Sequence, residues 1–277
     1  MAKTWFITGA SSGLGAELAT AALEKGDRVA ATFRKEEQAT TFSSREPGRT
    51  LGIVLDVTEE AAIAPAVQQA RDAFQQIDVL VNNAGYGTVG AIEEFGMDEI
   101  RAQMETNFFG MAAVTKAFIP LFRQQGSGHI VQLSSAAGIR SAAGFGVYNS
   151  SKFALEGFSE ALSYEMAPFG VRVVLVEPGP FRTEFLGRSM QAAKQKLETY
   201  REGPVAKTYE YIDSNNGQQE GDPVKAAHAI VDYVHDNREG LRLPLGRIVL
   251  NAFRMKIEML QKDLDANKDI AVKTVYE

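Results

Sequence analysis

The sequence predicts an α/β fold, a doubly wound parallel sheet with helices on both faces. Short β-branched runs alternate with helical patterns along the chain, the mark of βαβ units. A glycine-rich turn separates the first such run from the first amphipathic helix, where an open parallel sheet receives a ligand. The chain has 277 residues, long for one domain, yet α/β folds of this length often form a single unit. Residues 1–277 are therefore read as one domain, with a lid insertion over 184–221 and a C-terminal helical extension over 246–277.

Apolar residues make up 45 % of the chain and charged residues 23 %, ordinary for a soluble globular protein. The net charge of −6 excludes the basic footprint of a nucleic-acid binder. Cysteine is absent, which excludes disulfides and thiol catalysis and fits a reducing compartment. Trp5-Phe6-Ile7 is too short an apolar run for a secretory signal. No apolar stretch approaches the roughly 20 residues of a membrane-spanning helix. The expectation is a soluble, cytoplasmic protein.

Thr4–Thr8 reads as the first strand, apolar on both faces as a doubly covered strand must be. The turn Thr8-Gly9-Ala10-Ser11-Ser12-Gly13-Leu14-Gly15 follows, and then a helix to about Lys25 with Leu14, Leu18, Ala21 and Ala22 on one face. Glycines there let the backbone approach a pyrophosphate, and the helix N-terminus supplies N–H donors. Any tight turn uses glycine, so placement between strand and helix carries the inference.

The second strand, Arg28–Phe33, ends at Arg34-Lys35-Glu36-Glu37. In a dinucleotide fold an acid at this point binds the ribose 2′-hydroxyl, whereas an Arg accepts a 2′-phosphate. Arg34 stands first, though a solvated base opening a helix reads the same way. Leu51–Leu55 is the third strand and delivers Asp56-Val57 at its C-terminal end, placed for an adenine edge or for a helix cap before Glu59. Pro65 in the next helical pattern predicts a late start or a kink.

Asp78–Asn82 is the fourth strand, followed by Asn83-Ala84-Gly85. A short helix near Met97–Glu105 precedes a long one from Thr106-Asn107 to about Gln124. Asn107 is unfavourable inside a helix, which hints at a polar task. Gly128–Ser134 is the fifth strand and ends at Ser135; Arg172–Glu177, the sixth, runs into Pro178-Gly179-Pro180-Phe181-Arg182-Thr183. Asp222-Pro223 caps a helix to about Asn237. Leu241–Leu245 is the last strand, and Arg247–Leu264 an amphipathic helix before a frayed final dozen residues.

Tyr148 and Lys152 lie four residues apart, one helical turn, on one face. An unperturbed Tyr titrates at about 10 and a Lys at about 10.4. The neighbouring cation favours the phenolate and is expected to lower the Tyr148 value, which suits general acid–base chemistry. Such a pair alone is commonly just an exposed helix surface.

In order and on the expected elements stand the T-G-x-x-x-G-x-G turn, Asn82-Asn83-Ala84-Gly85, Asn107, Ser135, Tyr148-x-x-x-Lys152 and Pro178-Gly179. Over roughly residues 4–185 the chain strongly resembles the short-chain dehydrogenase/reductase family, in its shorter single-domain branch. That resemblance implies a Rossmann-type oxidoreductase with the tetrad Asn107, Ser135, Tyr148 and Lys152. Ser135 would hold the substrate oxygen, Tyr148 exchange its proton, and Lys152 lower the Tyr148 pKa and grip the nicotinamide ribose. Asn107 would support a water relay to Lys152. The resemblance also implies cofactor contacts from Gly9, Ser11, Ser12, Gly13, Leu14 and Gly15 in the turn. Asp56, Val57, Asn83 and Gly85 would flank the adenosine, and Pro178, Phe181 and Thr183 the nicotinamide. It makes residues 184–221, rich in Phe185, Leu186, Met190, Tyr209 and Tyr211, the substrate lid.

Arg34 selects NADP(H) as the expected cofactor, with Ser11 adding a hydroxyl to the 2′-phosphate. An NAD-linked dehydrogenase using Glu36 or Glu37 is the alternative, and a non-catalytic NADPH-sensing protein a second, disfavoured by the intact tetrad. The substrate is expected to be a bulky lipophilic carbonyl compound or secondary alcohol, on the apolar character of the lid, Phe145 and Val147. Apolar residues along Phe108–Phe122, with Leu155, Phe158, Leu162 and Met166, offer more apolar surface than one sheet covers, so a homodimer at least is expected.

Overall fold

Alternating side chains of the central strands feed two separate apolar layers, and this decides the architecture. The protein is represented by a computed structural model that describes residues 1–276. Its strands are β1 (Thr4–Ile7), β2 (Arg28–Phe33), β3 (Thr50–Val54), β4 (Val79–Asn82), β5 (Gly87–Val89), β6 (Gly128–Leu133), β7 (Val171–Pro178), β8 (Met190–Ala192) and β9 (Arg242–Leu245). Seven of them form one sheet in the order β3-β2-β1-β4-β6-β7-β9, with every neighbouring pair parallel. The expected α/β fold, with helices on both faces, is what the chain adopts.

The helices are α1 (Gly13–Glu24), α2 (Glu36–Ser43), α3 (Glu60–Phe74), α4 (Met97–Met104), α5 (Met111–Gln125), α6 (Gly146–Met166), α7 (Pro204–Asn215), α8 (Pro223–His235) and α9 (Arg247–Ala271). Trp5 and Ile7 point to one face, where they meet Leu18 and Ala22 of α1 and Ile230 and Val231 of α8. Phe6 points to the other, against Val67 of α3, Phe118 and Phe122 of α5 and Leu162 of α6. Its ring lies 5.0 Å from that of Phe118. At the N-terminal edge of the sheet the buried Asp27 accepts hydrogen bonds from the Trp5 indole Nε1 at 2.7 Å and from the Lys3 backbone N–H at 2.8 Å.

Several expectations need correction. Pro65 neither delays nor interrupts α3, which runs from Glu60 to Phe74. The ring removes one backbone donor, while Ile63, Ala66, Val67, Ala70 and Phe74 bury one continuous face. The two helices around Asn107 are one continuous rod, because a π-turn over Glu105–Gly110 joins α4 to α5. The last helix continues to Ala271 and a 3₁₀ turn follows it, where fraying was expected. The surplus of apolar surface is also smaller than read. Phe122, Leu155, Leu162 and Met166 are buried within their own chain, and Phe108 meets Phe158 edge-on at 6.0 Å.

Candidate active site

The chain order reverses between β1 and β4, and functional groups gather beyond the carboxyl ends of these strands. On the β1 side the turn residues Gly9 and Gly13 have φ of 68° and 60°, values that favour glycine. A Cβ on Gly9 would lie 2.9 Å from the Ala84 Cα, so the two loops touch backbone to backbone. Asn83 fixes them together: its side-chain amide donates to the Thr8 and Gly9 carbonyls at 3.0 and 2.9 Å. Thr8 Oγ1 in turn accepts the Asn83 and Ala84 backbone N–H groups. Asn83 is thereby a brace of the turn.

Around this cradle lie the other candidate cofactor residues. Ser11 and Arg34 are exposed, and Arg34 makes no ion pair or hydrogen bond among the described residues. Glu36 and Glu37 are exposed in the first turn of α2. Asp56 is engaged locally, its Oδ1 accepting the Thr58 N–H and hydroxyl at 3.0 and 2.8 Å. Val57 is buried against Gly110. Thr183 packs over Gly13, and Pro178 and Phe181 lead up to it from the end of β7. The glycine cradle, open N-terminus of α1 and free guanidinium fit a dinucleotide phosphate chain.

The other half of the site is built by α6 and the end of β6. Ser135 sits just beyond β6 in extended conformation, its Oγ accepting the Ala137 N–H at 3.1 Å to open a 3₁₀ turn. Tyr148 stands in the first turn of α6, buried, with Ser135 beside it. The Phe185 and Phe145 rings enclose it at 5.6 and 6.4 Å. One turn on, the buried Lys152 ammonium donates to the Leu133 carbonyl at 2.6 Å. Asn149 secures the intervening loop, donating to the Ala137 carbonyl at 2.8 Å.

The sequence pattern of short chain dehydrogenases matches residues 3–194. The chain belongs to that family. Oxidoreductase BOA17 of Botryotinia fuckeliana is 40 % identical over 89 % of this chain and 89 % of its own. A 3-ketodihydrosphingosine reductase of Bacteroides thetaiotaomicron is 42 % identical over 65 % of this chain and 64 % of its own. A crystal structure of a short-chain dehydrogenase from Streptomyces avermitilis superposes with a TM-score of 0.91 at 37 % identity, covering 99 % of this chain and 100 % of that one. The protein is thus a short-chain dehydrogenase, an oxidoreductase.

Two features of this dehydrogenase depart from expectation. The Tyr148 phenol is pushed up to about 12, because burial under the two rings outweighs the opposing pull of Ser135. Burial also lowers Lys152 to about 8, against the pull of the Glu156 carboxylate. The Asn107 amide is occupied as well. Its Nδ2 donates to the Tyr86 carbonyl at 2.9 Å and the Ser151 hydroxyl at 3.1 Å, and its Oδ1 accepts the Tyr86 N–H. The π-turn takes the Asn107 backbone out of α-helical register.

Two groups of residues lay outside the sequence reading. Behind Lys152, Glu156 accepts a hydrogen bond from Ser134 Oγ and pairs with Arg242 of β9, which also donates to Glu177 of β7 at 2.6 Å. The four-residue step from Lys152 to Glu156 was readable as helix spacing; Arg242 and Glu177 come from distant strands and carry no local signal. Above the site, β8 pairs in parallel with β5 and seats the Met190 methyl and the Phe185 ring against Gly87. That pairing joins the segment after β7 to the body.

Proposed function

We propose that the protein is an NADP(H)-dependent carbonyl reductase, or runs the reverse alcohol oxidation, on bulky lipophilic substrates. The single observation that carries the reading is the burial of Tyr148 and Lys152 one turn apart on α6, with Ser135 beside the phenol. The nicotinamide ring, when bound, supplies or accepts the hydride. The rest is done by this chain. Ser135 Oγ donates a hydrogen bond to the substrate oxygen and orients it. Tyr148, protonated at neutral pH, gives its hydroxyl proton to that oxygen as the alcohol forms, and takes it back in oxidation. Lys152, cationic below about pH 8, stabilises the negative charge left on Tyr148. Phe145 and Phe185 shield the reacting oxygen from water.

Cofactor choice rests on Arg34, exposed at the end of β2 with both nearby acids on the following helix. A hydrogen bond to a charged group contributes about 1.5–3 kcal/mol, so one Arg34–phosphate contact is worth roughly ten- to a hundredfold in affinity. The lipophilic substrate rests on the aromatic wall around Tyr148, and the name of the Bacteroides relative, 3-ketodihydrosphingosine reductase, supports it. NADPH absorbance over a panel of ketones and aldehydes tests the reading. Turnover of long-chain or polycyclic carbonyls is expected; activity confined to small polyhydroxylated ones overturns it. Titration should show NADPH binding at least about tenfold tighter than NADH, and Arg34→Asp should erase that preference.

A further inference from the structure

The last helix is poorly covered by its own chain. α9 has 25 residues, about 37 Å at 1.5 Å per residue, and Val249 is the residue it buries. Its first turns rest on β9 and on the turn after Ser135, and Lys256 reaches the Phe153 ring at 5.7 Å. From Ile257 to Ala271 every residue is exposed. Helices in proteins draw most of their stability from packing an apolar face, and this one has such a face. Leu250, Phe253, Ile257, Leu260 and Leu264 succeed one another at alternating steps of three and four, and Asn267 and Ala271 continue the row. Leu250, Ile257, Leu260 and Leu264 are 45, 63, 52 and 60 % exposed. Glu258, Lys262, Asp265 and Asp269 occupy the opposite side, with Met255 and Met259 beside them.

A repeat of 3.5 residues is the mark of a seam that meets another helix, knobs into holes, whereas a helix lying on a globular body carries a broader stripe of period 3.6. Mixed charges on the outer side disfavour an anionic lipid surface. We propose that α9 is a dimerisation helix that pairs, seam to seam, with α9 of a second copy of this chain. The flanks of the seam fit a copy of itself. With the helices antiparallel and Ile257 packed on Leu260 of the second copy, Lys256 faces Asp263 of that copy, and the two-fold axis repeats the pair. With the helices parallel and in register, Asp263 faces Lys268. Each direction thus brings an opposite-charge pair together beside the apolar row, and the antiparallel one also sets Arg247 toward Lys268 of the second copy, which favours the parallel pairing. This surface lies apart from the catalytic groups and does not depend on their assignment.

Light scattering and cross-linking test it. The unmutated chain is expected to run as a dimer or a larger even assembly at micromolar concentration. The Ile257→Glu, Leu264→Glu double variant should have half that mass while keeping the circular dichroism of a folded chain, since both positions are exposed within one copy. Because the chain holds no cysteine, Leu260→Cys should be coupled between copies by a short bismaleimide, and Glu258→Cys on the outer side should not. A monomeric unmutated chain, an undiminished mass in the double variant, or equal coupling at both cysteines overturns the proposal.

Discussion

Tyr148 and Lys152 are both pushed toward their neutral forms by burial, the phenol up to about 12 and the ammonium down to about 8. For a phenol that must give up a proton in reduction, staying protonated at neutral pH is the required resting state. Tyr148→Phe should therefore lower turnover by about 10²–10⁴-fold, with cofactor affinity unchanged in a fluorescence titration. The Lys152 charge is present below about pH 8 and lost above it. Reductive kcat/KM should accordingly fall as pH rises through that value, and Lys152→Met should give a low, flat profile over the same range. A limb that persists in Lys152→Met would assign it to another group. Spacing made these residues legible, because a four-residue step on a helix fixes a shared face whatever lies around it. The sign of the Tyr148 shift was not legible. It depends on Phe185, 37 positions away in the sequence, closing over the ring.

β5 and β8 are short, three residues each, and their register sets Gly87 opposite Met190. A Cβ at Gly87 would stand 2.7 Å from the Met190 methyl and 3.0 Å from the Phe185 ring. Gly87→Val should thus displace the lid and raise KM for a bulky substrate, leaving the NADPH dissociation constant alone; a matching loss in cofactor affinity would count against this seating. The sequence reading did not include the pairing, since Thr88-Val89 and Met190-Gln191-Ala192 are too short for any periodicity to register. Strands of the main sheet were legible for the opposite reason: buried on both faces, they read as unbroken apolar runs. Pro65 misled because its cost is local while the compensating buried face of α3 is tertiary.

Across the whole molecule, elements far apart in sequence are joined by the buried carboxyls of Glu156 and Glu177 and the half-buried Arg242 that bridges them. Glu177 is pushed up to about 7, first by burial and then by the Glu156 charge, with Arg242 opposing. A carboxyl raised above its unfolded value of about 4.3 binds a proton on folding. Its contribution is complete in acid and is lost as pH rises through about 7. The melting temperature of Glu177→Gln, relative to the unmutated chain, should therefore climb between pH 5 and pH 8, as thermal scans at the two pH values will show; a constant difference would mean that Glu177 keeps its charge in the fold. Those scans have a built-in optical reporter. The chain contains one tryptophan, and Trp5 lies wholly buried in the first strand with its indole N–H held by Asp27. Intrinsic emission is therefore a one-site signal, blue-shifted while the sheet is intact and red-shifted only when water reaches that strand. Loss of the sheet can thus be followed by colour alone, separately from any change in residues 184–221.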